Sequence, residues 1–171
     1  RFHAEAYGQK VMTTRMFTHT GPRRGDVFAE STFAKQIALI EADLIPPVVK
    51  TGNLNSLRTW ADVRDAVRAY HMLVTINPTP GEFYNIGGTE TRTIGEMLDF
   101  LISQSVRSKE ISIETDQARI RPLDADAQIP DTRKFFEHTG WKAEIPFEKT
   151  MKDLLDYWRS QVKKNGALLS R

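Results

Sequence analysis

The 171-residue chain carries 24 basic and 22 acidic side chains, a net charge of +2, and 40% hydrophobic residues. This is ordinary globular composition, and so small a charge excludes a nucleic-acid binder held by its overall field. With no cysteine there is neither a disulfide framework nor a thiolate metal site. No apolar run approaches the roughly 20 residues that cross a bilayer, so a soluble cytoplasmic protein is expected.

Phe2, Ala6 and Tyr7 recur as on the last turns of a helix, and Gly8 follows where a C-cap belongs. Val11-Met12-Thr13-Thr14-Arg15-Met16-Phe17 reads as a buried strand. A helix end feeding straight into a strand, without an initiator Met, implies a chain that begins in mid-fold. The sheet neighbours of that strand are then expected in a missing half. Gly21-Pro22 and Gly25 punctuate a loop from Thr18 to Asp26. Ser31 or Thr32 is expected to cap a helix that buries Phe33, Ile37 and Ile40. Pro46-Pro47 stops it ahead of a short strand, Val48-Val49-Lys50, and a turn around Gly52.

Val63, Ala66, Val67, Tyr70, Leu73 and Val74 form the strongest helical stripe, ended by Asn77-Pro78-Thr79-Pro80-Gly81. Residues 82–86 read as a strand closed by Gly87-Gly88. Thr93 and Glu96 make a capping box, with Ile94, Met97, Leu98, Leu101 and Ile102 as the buried face. Ile111 and Ile113 mark a short strand, and Asp131 is expected to cap a helix ending at Thr139-Gly140. Phe147, Met151, Leu154, Leu155 and Trp158 face inward from a last helix, with a frayed tail from Gln161 to Arg171. Strands alternating with helices predict an α/β fold.

Several common sites are absent from the sequence. There is no glycine-rich phosphate loop and no nucleophile elbow. His3, His19, His71 and His138 lie far apart, so no metal site is expected. Three cation-bearing loops remain, each after a strand or before a helix, where α/β proteins place ligands. In Thr18-His19-Thr20-Gly21-Pro22-Arg23-Arg24-Gly25, adjacent guanidiniums can hold phosphate bidentately or simply face solvent. In residues 52–60, Asn53 can bond a base or ribose or merely shape the turn, and Arg58 can reach a pocket or lie on the surface. In Arg119-Ile120-Arg121-Pro122-Leu123-Asp124, a phosphate-plus-ribose pair and a surface ion pair are both open.

Taken in order, Glu5-Ala6-Tyr7-Gly8, Arg15-x-Phe17-x-His19 and Gly21-Pro22-Arg23-Arg24-Gly25 precede Gly52-Asn53-Leu54 with Arg58-x-Trp60-x-x-Val63-x-Asp65. Tyr84-Asn85-Ile86-Gly87-Gly88, Arg121-Pro122 and Thr139-Gly140-Trp141 follow. In this order and spacing the chain resembles the C-terminal half of the extended short-chain dehydrogenase/reductases that act on nucleotide sugars. It is most similar to the GDP-mannose 4,6-dehydratase family and its sister, the GDP-4-keto-6-deoxy-mannose reductases.

The resemblance implies the C-terminal part of a Rossmann-type fold with a smaller mixed α/β substrate-binding domain. Residues 1–171 would be the nucleotide-sugar-binding portion, the dinucleotide-binding portion lying outside the chain. It implies NADP (or NAD) as cofactor, a GDP-hexose as substrate, and a homo-oligomeric full-length enzyme with no nucleic-acid or membrane partner. His19 and Arg24 would face the cofactor. Thr18, Asn53, Arg58 and Arg121 would face the GDP-sugar, the arginines at its diphosphate, with Asp124 near a ribose hydroxyl.

In the dehydratase, the hexose C4 is oxidised by hydride transfer, water leaves across C5–C6, and the hydride returns to C6. In the reductase, one hydride goes to C4 of a keto sugar. Pro22-Arg23-Arg24-Gly25 is similar to the dehydratases, whereas Phe33-Ala34-Lys35-Gln36-Ile37-Ala38 is similar to the reductases. Thr18 and Thr59 stand where the family has Asn and Asp. The family's Y-x-x-x-K pair is absent: Tyr7, Tyr70, Tyr84 and Tyr157 are followed four positions later by Val11, Val74, Gly88 and Gln161. No catalytic residue is therefore assigned, and the chain alone is expected to be inactive. A non-catalytic nucleotide-sugar-binding module is the reading from another class.

Overall fold

The computed structural model describes residues 1–120 and 125–169. In chain order its first elements are α1 (Phe2–Tyr7), β1 (Thr13–Met16), β2 (His19–Thr20), α2 (Ala29–Glu41), β3 (Val48–Thr51), β4 (Leu57–Thr59) and β5 (Ala61–Asp62). Then come α3 (Val63–Thr75), β6 (Phe83–Ile86), β7 (Thr91–Thr93), α4 (Ile94–Ser103), β8 (Ser112–Thr115), β9 (Ala127–Gln128), α5 (Arg133–Thr139) and α6 (Phe147–Leu169). A single 3₁₀ turn, Gln117–Arg119, follows β8.

Parallel pairing dominates. β1 pairs with β6, β2 with β5 and β3 with β8, all in parallel, while β4 lies between antiparallel β7 and parallel β9. Parallel partners need long crossovers, which the helices supply. The α/β expectation is met.

Two apolar clusters hold these layers. The larger one gathers Phe33, Ile37 and Ile40 of α2, Met97, Leu98 and Leu101 of α4, and Met151, Leu154, Leu155 and Trp158 of α6 around Val49 and Trp60. The faces expected for α2, α4 and α6 thus meet one another. The capping box of α4 is present, with the Glu96 amide donating to Thr93 Oγ1 and the Thr93 amide donating to Glu96 Oε2. The smaller cluster joins Ala69 and Leu73 of α3, Tyr84 and Ile86 of β6, Phe135 of α5, and Trp141. Gly8 ends α1 in the left-handed conformation, at φ 63°.

Five expectations are corrected. The strand after Gly8 was expected to be buried and to find its neighbours outside the chain. Instead β1 is partly exposed, as is Val11 ahead of it at 40%, and β6 of this chain pairs with one of its edges. Neither Ser31 nor Thr32 caps α2, which starts at Ala29. Their hydroxyls reach backwards instead, to the carbonyls of Arg24 at 2.6 Å and Asp26 at 2.5 Å, and so fasten the preceding loop.

The apolar stripe of α3 does not face the core as a whole, since Val67 and Val74 are each 60% exposed and Tyr70 40%. Its inward face is Asp65, Ala66, Ala69 and Leu73. Asp65 explains the rotation. Its carboxylate accepts from Arg68 and from the amides of Glu144 and Ile145, and Trp141 Nε1 donates to its carbonyl. Asp131 serves the Arg133 amide, but the cap position of α5 is Thr132. The tail from Gln161 is not frayed throughout: α6 runs to Leu169 across a break at Asn165, and Val162 is buried in the larger cluster.

These two faces of α3 predict opposite outcomes in urea denaturation. Asp65→Ala strands two backbone amides and Arg68, and should cost about 3 kcal/mol. Val67→Ser and Val74→Ser, on the exposed face, should each stay within about 0.5 kcal/mol of the parent.

Candidate functional site

The first two cation-bearing loops, and Arg119 from the start of the third, are brought together around strands of two or three residues. His19 lies opposite Ala61 and Thr20 opposite Asp62, and the Ala61 amide donates to the Thr18 carbonyl at 3.0 Å. Arg58, in the middle of β4, lies opposite Arg92 on one side and Gln128 on the other. Two close backbone approaches need glycine. A Cβ on Gly88 would stand 2.0 Å from the Trp60 carbonyl oxygen, and one on Gly52 would stand 2.5 Å from that of Arg119.

The result is a cavity of about 490 Å³ walled by Thr18, Arg24, Phe28, Glu30, Asn53, Arg58, Trp60, Arg119 and Gln128, among others. A second cavity of about 430 Å³ is lined by Arg15, Met16, Phe17 and His19. Thr18, Arg24 and Gln128 line both, forming their common wall. Such volumes are in the range of small-molecule sites.

Thr18, Asn53 and Arg58 thus share the larger cavity, His19 lies in the second, and Arg24 lies in both. Arg121 and Asp124 fall outside the described residues. Asn53 is also a turn asparagine: its Oδ1 accepts from the Asn55 amide at 2.9 Å, and its Nδ2 donates to Ser56 Oγ at 3.0 Å. Arg58 is only 8% exposed, and its Nη1 donates to the carbonyls of Leu57 and Ala125, both at 2.8 Å. It therefore ties β4 to the segment before β9. His19 Nδ1 donates to the Phe17 carbonyl at 3.2 Å, which leaves Nε2 as an acceptor in the neutral ring. Arg119 Nε meets Asp116 Oδ2 at 3.2 Å.

Sequence reasoning missed Glu30, Phe28 and Gln128. Glu30 is 4% exposed, and its Oε1 faces Arg24 Nε at 3.4 Å. The Arg24 Cζ lies 3.3 Å from the centroid of the Phe28 ring. No local pattern announces them, since an acidic residue in the first turn of a helix is commonplace.

Burial pushes the Glu30 carboxyl above its ordinary value of 4.5, against the opposing pull of its own backbone amide, Arg24 and Thr20. The native state then holds a proton that the unfolded chain releases. Stability should fall as pH rises from 4.5 towards the folded value. In thermal melts Glu30→Gln should exceed the parent at pH 7, with the gap closing as pH approaches 4.5. A constant gap would contradict this account.

A family model described as GDP-mannose 4,6 dehydratase matches residues 1–154. The chain is 28% identical over 156 residues to GDP-6-deoxy-D-mannose reductase from Pseudomonas aeruginosa, covering 91% of this chain and 50% of the relative. It is 29% identical over 154 residues to GDP-mannose 4,6 dehydratase 2 from Arabidopsis thaliana, covering 90% and 40%. Among solved structures, RMD from Pseudomonas aeruginosa complexed with NADPH superposes with a TM-score of 0.83 at 27% identity, covering 94% of this chain and 52% of that one. The chain thus spans about half the length of the curated relatives it matches. Among the described residues no helix is long and apolar enough to cross a membrane.

Proposed function

The chain belongs to the GDP-mannose 4,6 dehydratase family, and we propose that it is the sugar-nucleotide-binding portion of an NADP-dependent GDP-mannose 4,6-dehydratase. The observation that carries this reading is the shared cavity wall of Thr18, Arg24, Asn53 and Arg58, residues from distant parts of the sequence. A nucleoside diphosphate sugar needs cations opposite its diphosphate, and Arg24, Arg58 and Arg119 all line that cavity. Arg121 and Asp124 belong to the same reading through the family motif. Binding energy from the remote diphosphate would hold the hexose in one orientation for reaction elsewhere in the enzyme.

The second cavity fits part of a dinucleotide, since Arg15 and Arg24 offer donors to phosphate and His19 Nε2 offers an acceptor to a hydroxyl. When bound, NADP would accept and return the hydride. Residues 1–171 hold and orient, and no tyrosine among them is followed by the lysine of the family's proton-transfer pair. We therefore read the chain as binding-competent and catalytically silent by itself. The whole enzyme is read as a cytoplasmic homo-oligomer, on the family likeness.

A second reading, the GDP-4-keto-6-deoxy-mannose reductase, is supported by the likeness to GDP-6-deoxy-D-mannose reductase from Pseudomonas aeruginosa and by the Phe33-to-Ala38 segment. The two separate in a reconstitution with the N-terminal half of a family member supplied in trans. Net NADPH consumption on a keto sugar would favour the reductase, and dehydration of GDP-mannose without net consumption would favour the dehydratase.

Calorimetric titration of GDP-mannose into the chain tests the reading common to both. Binding is expected, and Arg58→Ala should weaken it by about 1.4 kcal/mol or more, that is tenfold. An unchanged affinity in Arg58→Ala would remove the site from consideration.

A further inference from the structure

Arg24 is held on several sides. Its backbone is fixed by the amide's bond to the Gly21 carbonyl at 3.1 Å and by Ser31 Oγ donating to its own carbonyl at 2.6 Å. Ser31 in turn accepts from Trp158 Nε1 at 2.8 Å, which fastens the loop to α6. The guanidinium lies over the Phe28 ring, and its inner edge, Nε, faces Glu30 Oε1 at 3.4 Å. Among the described residues, its two terminal nitrogens make no hydrogen bond.

Glu30 stands in the first turn of α2, where an acid suits the helix N-terminus, but a solvent-facing acid would serve the helix as well. Its carboxylate is buried, and Oε1, like Arg24 Nε, lacks a properly formed hydrogen bond. A buried acid of this kind is costly unless a partner offsets it. Among the described residues Arg24 is the cation paired with it. What the pair achieves is geometric. An arginine whose Nε edge is held in an ion-pair contact and whose plane is stacked on a ring loses little rotamer freedom when its outer fork engages a ligand.

We propose that Glu30 is a positioning residue for ligand binding. It fixes Arg24 by its Nε edge, so that the two terminal nitrogens stand at the wall between the cavities as a preformed clamp for a phosphate-bearing ligand. This deepens the nucleotide-sugar reading and rests on it for the identity of the ligand, but not for the clamp itself. It does not depend on the charge of Glu30, because an oxygen acceptor faces Nε in either protonation state.

The test is a double-mutant cycle on the full 171-residue chain, titrated with inorganic pyrophosphate and separately with GDP, with every variant's melting recorded. Glu30→Ala should weaken pyrophosphate binding about tenfold, and Arg24→Ala at least as much. The double variant should bind no more weakly than Arg24→Ala alone, because Glu30 acts only through Arg24. Glu30→Gln keeps an acceptor opposite Nε and should stay within about threefold of the parent. Should Glu30→Ala not fold, Glu30→Leu, close in size but without an acceptor, carries the same expectation.

Additive losses would assign Glu30 a merely structural role and overturn the proposal. Tighter binding in Glu30→Ala would overturn it as well, by showing that the acid only offsets the charge of Arg24. So would a parent chain that binds no pyrophosphate. Pyrophosphate binding with the expected pattern, but no binding of GDP, would leave the clamp standing and sink the nucleotide-sugar reading instead.

Discussion

Asp62 sits where four parts of the chain converge. It ends β5 opposite Thr20 of β2, and its Oδ1 accepts from the Arg64 amide to cap α3. Its Oδ2 accepts from Thr150 Oγ1 of α6 at 2.8 Å, and the Arg64 side chain bridges it to Asp153. Burial alone would push this carboxyl up, but hydrogen bonds from Arg64, its amide and Thr150 outweigh that and hold it below its ordinary 3.8. The ionised form is thus the native one. Because β2 carries His19 and leads into the loop to Arg24, the β2–β5 register that Asp62 helps hold also bears on where those side chains stand at the two cavities.

The cavities show the same economy of means. Their common wall of Thr18, Arg24 and Gln128 comes from a loop that α2 fastens and from β9, which runs beside Leu57 and Arg58 of β4. Arginines predominate among the charged groups lining the site, and Glu30 is a buried acid among them. Such a balance suits an anionic ligand with a polar remainder better than a bare phosphate, which would need only the cations.

The long elements were legible because their chemistry repeats. Phe33, Ile37 and Ile40, or Met151, Leu154, Leu155 and Trp158, recur at helical spacing and do face one core. The stripe on α3 misled for an instructive reason. Its apolar period is genuine, but the buried Asp65 and its partners outbid Val67 and Val74 for the inward face, and a polar anchor leaves no periodic trace. β2, β4, β5, β7 and β9 span only two or three residues each, too few for any alternation to be read. The loops that line the cavities could be picked out by their cations and by family likeness. That Thr18, Arg24, Asn53 and Arg58 would share one wall was not visible, because the short strands that assemble it were not.

The separation of those pairings along the chain bears on how the molecule comes to exist. Arg58 bonds a carbonyl 67 positions away, Thr150 reaches Asp62 across 88, and Trp158 reaches Ser31 across 127. Contacts so distant in sequence close large loops before they return any stabilisation, and they slow the search for the native state. Helices such as α2 and α4 can flicker into place early on local preference. The cavity cannot, since none of its walls contains the information to build another. It is complete only when segments from Arg15 to Gln128 have met, and a partly melted chain that kept its helices would lose the cavity first.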